Sequence, residues 1–96
     1  MNVIYTYRHT DSSDALEARM DTHLEKMEKL MPASVDVHCI FTVEGHRNIV
    51  EINVRGSHLD ASAHDAKDDM YKAIDSAASK LDRQVRKHKE KIASHS

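Results

Sequence analysis

Residues 35–43 alternate between two kinds of side chain. Val35, Val37, Cys39, Phe41 and Val43 are apolar, and the residues between them are mostly polar. A period of two places the apolar set on one face of an extended strand. Such a strand needs an apolar layer on one side and tolerates water on the other. It commits the chain to a sheet with one covered face.

The rest of the chain supplies the other strands and the cover. Residues 2–8 (NVIYTYR) are rich in β-branched and aromatic residues and predict a strand, with Val3, Tyr5 and Tyr7 on one face. In residues 10–14 Ser13 is the expected helix N-cap, and Asp14 with Glu17 is an alternative capping box. Leu16, Met20, His23, Leu24, Met27, Leu30 and Met31 then repeat at a helical period, and Pro32 ends the run. After the 34–44 strand, residues 45–47 make a tight connection. Val50, Ile52 and Val54 mark a third strand, and Gly56-Ser57 turns the chain. In residues 58–64 Leu59, Ala61 and Ala63 point inward, while His58, Asp60, Ser62 and His64 point outward. A second helix starts near residues 66–69 with an acidic first turn, on the stripe Met70, Ile74, Ala77, Leu81, Val85 and His88. The order β-α-β-β-β-α predicts an α+β two-layer domain. A four-stranded sheet carries both helices on one face, as in double-stranded RNA-binding folds. The small Ala61 and Ala63 suit close helix approach.

At 96 residues the chain is one domain, read as residues 1–92 with a frayed tail at 93–96. A 40% apolar and 31% charged composition suits a folded soluble protein. Cys39 is the only cysteine, so no intramolecular disulfide can form, and it alternates with core residues. No stretch approaches a membrane span and no secretory leader is evident, which predicts a cytoplasmic protein with no membrane partner.

Charge is distributed unevenly. Residues 1–78 hold eight Lys or Arg against fourteen Asp or Glu; residues 79–96 hold six against two. On the second helix Lys80, Arg83, Lys87 and Lys91 fall on one flank, a ladder roughly 16 Å long at the helical rise. Arg86 and Lys89 point to the other flank, near Asp82. On the first helix Arg19, Lys26 and Lys29 share one side, opposite Asp14, Glu17, Asp21, Glu25 and Glu28. Segregated charge fits a polyanion partner. It also fits a solvated helix face with intrahelical pairs such as Glu25–Lys29. Spacing alone leaves both readings open.

Other chemistry finds little support. His58 and His64 are too far apart on a strand to chelate one ion, and no paired-cysteine or HExxH spacing occurs. His23 and His88, beside the apolar stripes, are expected as hydrogen-bonded boundary residues. Asp60, Ser62 and His64 have the composition of a hydrolytic trio, but strand geometry separates each by about 6.6 Å from the next. No catalytic residue, cofactor or metal is expected.

The run DMYKAIDSAASKLDRQVRKHKEK (69–91) resembles the closing segment of the ribosome hibernation promoting factor and ribosome-associated inhibitor A family. DALEARM at the first helix and LDASA in the last strand are similar to the same family, as is the element order. The resemblance implies a non-enzymatic translation inhibitor of stationary phase and stress. Its partner would be the small ribosomal subunit, through rRNA and ribosomal proteins, with no DNA expected. It would cover the decoding region and exclude messenger and transfer RNA. The short type would act with ribosome modulation factor to favour inactive ribosome dimers. Carried over by position, the RNA-contacting residues are Lys80, Arg83, Lys87 and Lys91, with Lys26 on the first helix; Lys29 and Arg19, on the same side of that helix, would extend the contact. His23 stands where a lysine is often found. Tyr7 and Ser12 depart from the family's usual glycine and apolar residue, and the 64–68 connection looks longer than usual. The alternatives are a standalone binder of structured RNA and a homodimeric interaction module using the outer sheet face with Ile40 and Ile49.

Overall fold

A computed structural model describes residues 1–94, with side-chain surroundings through residue 90. The elements are β1 (Asn2–Arg8), α1 (Asp14–Met27) with a 3-10 turn (Glu28–Leu30), β2 (Val35–Glu44), β3 (Arg47–Gly56), β4 (Leu59–Lys67) and α2 (Met70–Ser94). The sheet order is β1-β2-β3-β4. β1 runs parallel to β2, as the α1 crossover requires, and β2, β3 and β4 form an antiparallel meander. The expected four-stranded α+β fold with two covering helices is the one observed.

One cluster joins the layers. Phe41, Met20, Leu24, Met27, Ile52, Ile74 and Leu81 are essentially fully buried in it. Tyr5 stacks on Phe41 at 5.8 Å between ring centroids, and Tyr7 tilts against it at 5.3 Å. Their hydroxyls tie β1 to α1. Tyr5 donates to Asp21 and Tyr7 donates to Glu17 Oε2 at 2.7 Å. The acidic flank of α1 therefore faces β1. Burial, then the Asp21 carboxylate, pushes the Tyr5 phenol up from its ordinary range. Ser13 caps α1 by accepting from the Leu16 N–H at 3.3 Å.

The tight connections explain both glycines. Gly45 takes φ +59 at the first position of the two-residue β2–β3 turn. Gly56 ends β3 against Val35, where a Cβ would meet Val35 Cγ1 at 2.6 Å. The turn into β4 is therefore Ser57-His58, not Gly56-Ser57. His58 is not an outward strand residue; it takes φ 65 in that turn.

Two further expectations are corrected. β4 runs on to Lys67, so residues 65–67 are strand and not a long connection. Asp68 and Asp69 precede α2 and do not form its first turn. Asp69 caps the helix, accepting from the Lys72 N–H at 3.1 Å. The two ends of the sheet also differ. Gln84 and Lys80 of α2 reach the free edge of β4, at Ser62 and His64.

Candidate nucleic-acid interface

The helix α2 lies across the sheet with two flanks in different company. On one side Lys80, Gln84 and Lys87 border β4. Lys80 Nζ sits 3.3 Å from the His64 carbonyl and 3.4 Å from Asp65 Oδ2. Lys87 shares a shallow cavity with Leu59, Asp60, Ala61 and His88. On the other side Asp75, Ser79, Asp82 and Arg86 face α1 across a groove of about 320 Å³ that His23 and Lys26 also line. Arg83 stands on the outer crest between the flanks by helical geometry.

This arrangement alters the ladder read from the sequence. Arg83 and Lys87 are exposed and have no ion-pair partner among the described residues. Lys80 is held by Asp65 and the β4 backbone, although 45% of its side chain stays exposed. Lys91 lies on α2, and its side chain is outside the described residues. The basic side of α1 does not extend the Lys80–Lys87 flank. It meets α2 on the opposite side, where α2 supplies carboxylates. Arg19 gives Asp75 a two-pronged bond, 2.9 Å from Nε and 2.6 Å from Nη2. His23 Nε2 lies 2.7 Å from the same carboxylate. The Arg19 hydrogen bond, then His23, holds the Asp75 carboxyl at about 2, against opposing desolvation. Lys26 and Lys29 are exposed and unpaired among the described residues, so the expected Glu25–Lys29 pair does not form.

Arg86, set apart from the ladder on sequence, stands across the groove from Lys26 and pairs with Asp82 at 2.8 Å. A band of cations thus crosses the helical layer from Lys87 over Arg83 and Arg86 to Lys26, with Asp75 and Asp82 set into it. Its unpaired members can attract phosphate without first breaking an internal pair.

Asp65 is a second organising acid. It accepts from Ser76 Oγ and from the Ala66 N–H, and these bonds, with Lys80, hold its carboxyl at about 2. Of the two boundary histidines, His23 has a hydrogen-bond partner. His88 Nε2 is buried with none among the described residues, contrary to expectation. Cys39 is buried as expected, and burial pushes its thiol up to about 12.

A family model described as Sigma 54 modulation protein / S30EA ribosomal protein matches residues 3–93. The chain belongs to this family. Among its curated relatives, the ribosome hibernation promoting factor of Azotobacter vinelandii is 35% identical over 91 residues, covering 95% of this chain and 85% of that protein. The ribosome hibernation promoting factor of Escherichia coli K12 is 31% identical over 97 residues, covering 99% and 100%. Among solved structures, a ribosomal subunit interface protein from Coxiella burnetii superposes with a TM-score of 0.81 at 29% identity, over 94% of this chain and 99% of that one. The Protein Y N-terminal domain of Thermus thermophilus shares the fold, with a TM-score of 0.81 at 20% identity, over 91% and 98%.

In this S30EA-family chain, sequence reasoning missed Asp75, Asp65 and Gln84 as organisers of the basic residues. One signal was available. Ala73, Ala77 and Ala78 are buried small residues on α2. Ala78 borders the α1 groove, and this small side chain marks the flank where a second helix can approach.

Proposed function

We propose that the protein is a ribosome hibernation factor that acts in the cytoplasm by binding and not by catalysis. It occupies the decoding region of the small ribosomal subunit through rRNA phosphates, excludes messenger and transfer RNA, and stabilises inactive ribosomes. Ribosome modulation factor is the partner expected where dimers form. Family membership and the names of the relatives support this reading. The observation that carries it is the display of Arg83, Lys87 and Lys26 on the helical layer of a chain whose net charge is −2. On an acidic protein, unpaired cations gathered on one layer give a local attraction for a polyanion and orient its approach.

The test is competition. The purified chain should bind small subunits, and messenger or transfer RNA occupying the decoding region should displace it. Displacement by free duplex RNA at the same concentration would favour a general binder of structured RNA. For the homodimeric alternative, Ile40 on the outer sheet face is only 7% exposed and Ile49 is half-buried, while Ile4 on the same face is 56% exposed; sedimentation of the isolated chain tests it.

A further inference from the structure

The groove between α1 and α2 contains a charge cluster whose net charge depends on one imidazole. Asp75 accepts both prongs of Arg19, and His23 Nε2 lies 2.7 Å from Asp75 Oδ1. The other charged groups facing the groove are Lys26 from α1 and Asp82 and Arg86 from α2, the last two paired with each other. Tyr71 borders Arg19, and Met27 and Ala78 also line the groove.

With His23 neutral, Arg19 and Asp75 cancel, and among the described residues Lys26 is the only uncompensated charge facing the groove. In that state Nε2–H donates to Asp75, and the second ring nitrogen carries a lone pair that repels a phosphate oxygen. Protonation turns that nitrogen into a donor and adds a full positive charge. Asp75 is ionised in both states, because Arg19 holds its carboxyl at about 2. The cations remain within reach of a ligand, since 28% of the His23 side chain and 49% of the Arg19 side chain are exposed.

We propose that Arg19, His23 and Lys26 form a proton-gated seat for an RNA backbone phosphate, so that the chain holds the ribosome more tightly when the His23 imidazole is protonated. This rests on the ribosome-binding reading and adds its regulation. Asp75 is a positioning residue: it orients His23 and cancels the Arg19 charge, so that the imidazole decides whether the seat carries more than the charge of Lys26.

The experiment is equilibrium binding of the full chain to purified small subunits, at about pH 8, 7 and 6 and several salt concentrations. His23→Gln is the comparison, because glutamine still donates to Asp75 but does not titrate. The wild-type chain should tighten by about three- to tenfold from high to low pH, with a log–log salt slope steeper by about 0.9. His23→Gln should lose most of that gain, its affinity changing little between the highest and the lowest pH. A His23→Gln chain that retains the full gain, or a wild-type chain whose binding ignores pH, overturns the gate alone. A wild-type chain that binds at no pH overturns the ribosome-binding reading and the gate with it.

Discussion

Gln84 closes the free edge of β4 at Ser62. Its Nε2 donates to the Ser62 carbonyl at 2.6 Å, and its Oε1 accepts from the Ser62 N–H at 3.2 Å. A side-chain amide thus takes the place of a fifth strand. An unpaired edge is a template for association with another chain, and covering it is one defence. Gln84→Ala should lower stability by about 1 kcal/mol. It should also introduce concentration-dependent association. Denaturant titration and sedimentation velocity read the two effects separately.

Asp65 should control part of the acid limb of the stability profile. Its carboxyl is held at about 2, against an ordinary value of 3.8, first by Ser76 and then by the Ala66 N–H. The group contributes stability above its unfolded value and loses it as pH falls through the folded one. The contribution is on the order of 1 kcal/mol once partial exposure and solvent screening are allowed for. Asp65→Asn should be less stable at neutral pH and show a shallower decline between about pH 4 and 2. Thermal melts across that window check it.

Cys39 should be chemically silent in the native protein. It is 0% exposed, and desolvation pushes its thiol up to about 12, so the reactive thiolate is scarce at neutral pH. A thiol reagent should label it only as fast as the chain unfolds. Labelling at the rate of a free thiol without denaturant would contradict the buried placement.

Phe41 should be the costliest single truncation. It is fully buried and carries both Tyr5 and Tyr7 on its ring. Phe41→Ala should cost about 3–5 kcal/mol. That is a large share of the stability expected of a small domain. Urea denaturation reads it directly.

What the sequence disclosed follows from how local each signal is. The alternation from Val35 to Val43 and the Ser13 cap are settled by neighbouring residues, and both were legible. The end of β4 was not. Asp65 sits opposite Val50, in line with the inward Ala61 and Ala63, and a carboxylate there breaks the alternation. Ser76 and Lys80, both on α2, make that position tolerable, and neither is a local signal. His58 escaped because its left-handed φ belongs to the two-residue turn between β3 and β4, a place where glycine or asparagine is the usual signal. For the candidate interface, helical angles placed Lys80 and Lys87 on one side of α2, the side that borders β4, while Arg83 stands on the crest. They could not say that α1 docks on the opposite flank and brings Arg19 and His23 to Asp75.

The central claim is that the cations of α2 hold the protein on the ribosome. The direct measurement is cosedimentation with ribosomes after reversing Lys80, Arg83 and Lys87 to glutamate together, with circular dichroism to confirm that the fold is retained. For the wild-type chain, neutralising about four phosphates predicts a log–log salt slope of roughly −3 to −4. The triple variant should leave the ribosome fraction at about 150 mM salt and bind with a much shallower slope at low salt. A folded variant that cosediments as the wild-type chain does, with the same salt dependence, would contradict the account.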